Sequence, residues 1–142
     1  MQQVILAIAL LISSMIFAQT ATNKSDEGIT VTVSAVNALS DNGTVKFALY
    51  DKENFMKQPI YSKSASVEKS KSTVVFENVP QGNYAIICFH DENDNNSMDF
   101  NENGLPKESY GLSNNKMNFG PPEFDSAKFE VKNEDLSLEI KF

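Results

Sequence analysis

Arginine and tryptophan are absent from the 142 residues, and cysteine and histidine occur once each. A single cysteine excludes an internal disulfide framework and any site built from several thiolates. A single histidine excludes sites that need two imidazoles, which removes the common zinc centres. Without tryptophan the usual stacking platform for sugars is missing. Positive charge is also scarce: 12 Lys stand against 19 Asp plus Glu, for a formal net charge of −7. That balance argues against nucleic acid as a partner, because phosphate-backbone binding needs clustered cations.

Hydrophobic residues make up 41% and aromatics 10%, enough for a real core, so a disordered chain is not expected. The length allows one domain with or without a targeting segment. Residues 4–18 read VILAIALLISSMIFA, an uncharged apolar run closed by Ala18. A membrane-spanning helix needs about 20 apolar residues, so this run reads as a secretory signal over residues 1–18, cleaved after Ala18. Residues 1–3 carry no Lys or Arg, which keeps an uncleaved N-terminal anchor as the alternative. No cysteine lies near the junction, so a lipid anchor is not expected. The expectation is an exported protein, periplasmic or extracellular, with no membrane span after cleavage and a flexible polar leader over residues 19–28.

From residue 29 the pattern is that of strands and turns. Ile29, Val31, Val33 and Ala35 alternate with Thr30, Thr32 and Ser34, and Asp41-Asn42-Gly43 marks a turn. Residues 44–50 follow with Val45, Phe47 and Leu49 on one face. Residues 61–67 are Ser-rich and suit an edge strand. Residues 73–79 are strongly β-prone, and Pro80-Gln81-Gly82 then turns into residues 83–90. That last run is apolar on both faces, which places it centrally, with Cys88 a buried, inert thiol. Residues 128–132 and 136–142 alternate again, with Leu136, Leu138, Ile140 and Phe142 toward the core. Seven candidate strands over residues 29–142 predict an all-β fold, a single seven-stranded antiparallel β-sandwich. Residues 51–58 offer at most one short helical turn, and residues 91–125 form a long loop of the kind that usually binds something.

The chemistry lies in that loop. Residues 91–102, DENDNNSMDFNE, fit the twelve-residue calcium template of alternating oxygen ligands. Asp91, Asn93 and Asn95 stand at positions 1, 3 and 5. Ser97 at position 7 offers its main-chain carbonyl, Asp99 stands at position 9, and Glu102 at position 12 could bind through both oxygens. Asn96 occupies position 6, where the template has Gly; Asn is the side chain that best tolerates the left-handed backbone needed there. Asn101 or Glu108 could replace Glu102. The segment holds five carboxylates and no Lys, and such self-repulsion calls for a cation or for open solvent. The expected cofactor is Ca2+ in a structural role; the alternative is a solvated acidic turn.

Other constellations are weaker. Cys88 and His90 share a strand face but sit about 7 Å apart at strand spacing, too far for easy proton transfer. Glu53, Glu77 and Glu123 supply carboxylates, yet nothing pairs them. Residues 103–125, with Tyr110, Phe119 and Phe124, are either a recognition surface for an unknown protein or glycan partner or a cover over the core.

Several segments together resemble the DUF2141 family of exported bacterial proteins. They are Val79-Pro80-Gln81-Gly82-Asn83-Tyr84-Ala85-Ile86, His90-Asp91-Glu92-Asn93, Gly104-Leu105-Pro106-Lys107-Glu108 and Tyr110-Gly111-Leu112-Ser113-Asn114-Asn115. Gly120-Pro121-Pro122-Glu123-Phe124 and Ala127-Lys128-Phe129 complete the match. The resemblance implies a secreted sandwich of immunoglobulin-like or transthyretin-like (prealbumin-like) type with no established activity. It supports Asp91, Asn93, Asn95 and Asp99 as loop ligands; a carboxylate at the position of Glu102 is not a family feature. The functional expectation is an exported, non-enzymatic module with an EF-hand-like calcium loop, an accessory protein of the cell envelope. A periplasmic or extracellular hydrolase, or a small-ligand carrier, with a purely structural metal is the alternative.

Overall fold

The computed structural model describes residues 28–116 and 120–142. The expected signal over residues 1–18, nearly all of the leader and Phe119 lie outside the described residues. The chain forms two β-sheets facing each other across one apolar core. The first sheet has three strands in the order β4 (Lys71–Val79), β1 (Ile29–Val36), β8 (Leu136–Lys141). In the second, β3 (Tyr61–Ser66) pairs with β2 (Thr44–Tyr50), and β2 with β5 (Gly82–Asp91). The far edge of β5 is shared by β6 (Tyr110–Leu112) and β7 (Phe129–Val131).

Period-two alternation drives the packing. Val31, Val33 and Ala35 of β1, Val45, Phe47 and Leu49 of β2, Val74 and Phe76 of β4, and Ile140 of β8 are all buried in the shared core. Leu136, Leu138 and Phe142 pack on it half-buried. A bulge shifts β4 against β1 between the pairs Ile29↔Val79 and Val31↔Phe76, where Asn78 takes φ 56°. The Ser-rich β3 is an edge strand, as its weak alternation predicts. On its inner face Lys63 stands beside Phe47 in register and reaches across to the Val75 carbonyl of β4. An inward-pointing lysine of this kind discourages pairing by another chain.

β5 is central, with its outer face covered as well as its inner one. There Ala85 and Ile87 meet Leu112, Phe55, and Phe124 and Ala127 of the short helix α1 (Phe124–Ala127). The Phe55 and Phe124 rings meet edge to face at 5.6 Å. The stretch expected to offer a helical turn, residues 51–58, is a series of turns in which Asp51 accepts the Asn54 backbone N–H at 2.8 Å.

Two features correct the expected seven antiparallel strands. The described residues hold eight strands, because the long loop contains β6. β6 is only three residues with a central glycine, too short to show alternation; its backbone forms a strand because the edge of β5 is free to pair with it. Gly111 is required there, since a Cβ would stand 2.5 Å from Ile140 Cγ2 and 2.9 Å from the Lys141 carbonyl. The second correction is that β1 and β8 run parallel, from Val31↔Leu136 to Val36↔Lys141. Nearly the whole domain separates these two strands in sequence, so no tight hairpin forces them antiparallel.

Candidate metal centre

The loop between β5 and β6 starts from a buried acid. Asp91 ends β5 on its outer face and is wholly buried, because the following residues fold back over it. Asp91 Oδ1 accepts the Asn95 N–H at 3.0 Å and Oδ2 accepts the Asn96 N–H at 2.8 Å. This tight winding needs left-handed backbone at Asp94 (φ 54°) and Asn96 (φ 65°), both residue types that visit that region. Asn93 Oδ1 accepts the Asn95 N–H, and Asn95 Oδ1 accepts the Ser97 N–H at 2.8 Å. The amide nitrogens of Asn93 and Asn95 both donate to the Asp99 carboxylate, at 2.8 and 3.1 Å. Asp91, Asn93, Asn95 and Asp99 are thus brought together. Ser97 joins them through its backbone.

Beyond Asp99 the chain makes a small hairpin. Phe100 pairs with Pro106, and Asn101 Oδ1 accepts the N–H groups of Asn103 and Leu105. Glu102 sits at the exposed turn of this hairpin. The returning arm brings Glu108 to Asp99, where Glu108 Oε2 accepts the Asp99 N–H at 3.1 Å. Glu108 Oε1 is buried with no hydrogen-bond partner. A buried carboxylate oxygen left without a partner is costly.

The donor chemistry is hard oxygen. Among the described residues no three side chains drawn from His, Cys, Asp and Glu converge. Any metal held here therefore needs amide and main-chain oxygens beside the carboxylates, a mixture that suits Ca2+ and not zinc. Asn93 and Asn95 turn N–H groups toward Asp99, and each Oδ1 already accepts a backbone N–H, so either amide would reach a metal through the remaining lone pair of that oxygen.

Sequence reasoning missed one participant. Lys46, on the outer face of β2, places Nζ 3.6 Å from Asp91 Oδ2 and donates to Asn96 Oδ1 at 2.8 Å. Thr44, two residues earlier, donates to Asp94 Oδ1 at 3.1 Å. Only the β2–β5 register, which sets Thr44 opposite Asp91, reveals these contacts. No local pattern in the sequence signals them.

The remaining candidates have other roles. His90 is wholly buried, and its Nε2 lies 2.7 Å from the Asn42 carbonyl, which can only accept, so Nε2 carries the proton. Its Nδ1 faces Glu92 Oε1 at 3.5 Å and its ring stacks on Phe142 at 6.2 Å. His90 therefore ties the 41–43 turn to the start of the loop. That turn is clamped further by Asp41, which accepts the N–H groups of Ser70 and Lys69 at 2.8 and 2.9 Å. These two bonds hold the Asp41 carboxyl below the usual range, so the clamp is complete above that range and loosens only as pH falls through the lowered value. Glu53, Glu77 and Glu123 are exposed on three separate elements.

Burial pushes the Cys88 thiol up to about 12. At pH 8 about one thiol in ten thousand would then be ionised, so the native protein should not react with a disulfide reagent that labels the unfolded chain at once. Rapid labelling of the native state would show that β5 opens to solvent.

Residues 110–116 and 120–127 largely cover the core. Leu112, Ser113, Phe124 and Ala127 are buried. Asn114 and Asn115, both left-handed, donate to the Lys128 and Glu139 carbonyls at 2.6 and 2.8 Å. Tyr110 stays exposed, and beside it lies a groove of about 340 Å³ lined by Leu112, Lys116, Pro122, Lys141 and Phe142. No helix among the described residues is long and apolar enough to cross a membrane.

Neither the curated proteins nor the solved structures yielded a match to this chain. A family model does match, over residues 31–139, which takes in the strands of both sheets and the whole Asp91–Glu108 loop. The chain therefore belongs to the DUF2141 family, described as uncharacterized proteins conserved in bacteria.

Proposed function

We propose that the protein is an exported, non-enzymatic sandwich module of immunoglobulin-like or transthyretin-like type whose loop over residues 91–108 binds a structural Ca2+. The unpartnered, buried Glu108 Oε1 beside Asp99 carries this reading. Asp91, Asn93, Asn95 and Asp99 would hold the ion, with the Ser97 carbonyl, and Glu108 rather than Glu102 would move in to complete the site, since these three carboxylates do not converge without the ion. The bound ion would supply positive charge to a segment that carries five carboxylates between residues 91 and 102. By tying Asp91 at the end of β5 to Glu108 just before β6, it would fix the hairpin that presents Phe100 and Leu105 to solvent. The role in the envelope would be that of a binding or structural accessory, with that hairpin and Tyr110 as the contact surface.

Titration calorimetry on two variants tests the ligand set. Glu108→Gln should weaken calcium binding by about tenfold or more, the loss expected when a charged ligand oxygen is neutralised. Glu102→Gln should leave the affinity unchanged within about twofold, as expected for an exposed, screened charge. The reverse pattern would return the twelfth position of the loop to Glu102. A carrier reading is favoured by the groove beside Tyr110, whose charged side chains are Lys116 and Lys141; it would take a small anionic, partly apolar ligand.

A further inference from the structure

The contact between Lys46 and the loop has a consequence for the calcium site, and it rests on the calcium reading above. We infer that Lys46 is a resident cation that competes with the metal for Asp91 and so sets the calcium affinity of the loop. Thr44 lies opposite Asp91 and Lys46 opposite Phe89, all on the outer face of the second sheet. The lysine side chain thus reaches Asp91 along the diagonal, a distance that long side chains span. Its ammonium is 3.6 Å from the buried Asp91 Oδ2, whose other contact is the Asn96 N–H.

Asn96 holds the lysine in place. It stands at the position where the twelve-residue calcium loop carries glycine, and its φ of 65° is one that glycine adopts freely. What asparagine adds is a side-chain oxygen, and that oxygen accepts from Lys46 Nζ at 2.8 Å. The departure from glycine therefore tethers the ammonium over Asp91. Of the loop's acidic groups Asp91, Glu92, Asp94, Asp99 and Glu108, the ammonium from β2 pairs with Asp91. A divalent ion using the same Asp91 carboxylate must displace the lysine or endure its repulsion. The loop is held together without metal, at the expense of a weaker site.

The test uses the full chain and two variants, with calcium titrations by calorimetry and thermal unfolding in EDTA. Lys46→Met keeps the apolar stem and removes the charge. It should bind calcium about tenfold more tightly or better, and should unfold at a lower temperature in EDTA. Asn96→Gly keeps the charge and removes the tether. It should also bind more tightly, by less, and the double variant should fall short of the sum. Opposite signs on metal-free stability and metal affinity are the signature, since a merely structural lysine would lower both. Calcium binding by Lys46→Met but not by the parent chain would support the inference outright. Unchanged or weaker binding in both variants, with the parent binding calcium, would overturn it and leave the calcium reading intact. No binding by any of the three would overturn the calcium reading and the inference together. Should Lys46→Met not fold, Asn96→Gly decides alone.

Discussion

Replacing Gly43 with alanine should destabilise the protein by about 2–5 kcal/mol in urea unfolding, the sum of a left-handed backbone penalty and a forced backbone shift. Gly43 takes φ 67° in the 41–43 turn. A Cβ there would lie 2.0 Å from the Asp91 carbonyl oxygen and 2.8 Å from Glu92 Cα. Both are backbone atoms, so no side-chain rotation relieves the clash. The turn or the first residues of the metal loop must move, and the Asn42 carbonyl that meets His90 moves with them. Gly104 is the matched control: its φ is 76°, but nothing lies within 4 Å of its Cβ position. Gly104→Ala should cost only the backbone penalty, about 1–2 kcal/mol. Equal losses for the two variants would mean that the turn does not sit against the loop in solution.

Ser113→Ala should cost about 2–4 kcal/mol, from two buried main-chain groups that lose their partner. The Ser113 side chain is buried, accepts the Ile86 N–H at 2.9 Å and donates to the Ala127 carbonyl. A hydroxyl has one proton, so the short contact with Ala127 takes it and the Ile86 carbonyl at 3.4 Å is secondary. The single side chain thus joins β5 to the end of α1 across the cover of the second sheet. Its loss should raise protease cleavage around residues 120–127 before the rest of the domain unfolds. A loss below about 0.5 kcal/mol, the usual range of an exposed substitution, would show that water replaces the hydroxyl.

Where apolar residues alternate over seven or more positions, as in β1 and β2, burial follows the alternation and the strands could be read directly, whereas β4 was legible from its β-prone composition. β5 was legible as central because a run apolar on both faces must be covered twice. β6 was not, because three residues with a glycine carry no period and owe their conformation to the edge they join. The parallel pairing of β1 with β8 is a property of the closed fold, and no local signal encodes it.

The same division runs through the loop. Odd positions of a tightly wound segment point together, so the clustering of Asp91, Asn93, Asn95 and Asp99 could be anticipated from spacing alone. The last acid could not be settled that way, because Asn101 closes a hairpin that turns Glu102 outward and returns Glu108 six residues later. Lys46 was out of reach altogether. The absence of Lys within residues 91–102 suggested an unrelieved acidic segment, whereas a neighbouring strand supplies the cation. Register decides which strand faces which, and register is a long-range property.

Thermal unfolding of the protein in EDTA, and then across a calcium titration with magnesium as the control, decides whether the 91–108 loop holds a metal. A calcium-binding loop should give a calcium-selective rise in midpoint equivalent to about 2.7 kcal/mol at a concentration one hundred times the dissociation constant. At the same calcium concentration the rise should fall to about half or less in Glu108→Gln, the effect of a tenfold or greater loss of affinity, and persist in Glu102→Gln. An identical midpoint in EDTA and in millimolar calcium would contradict this, and would leave the Lys46 ammonium as the cation beside Asp91.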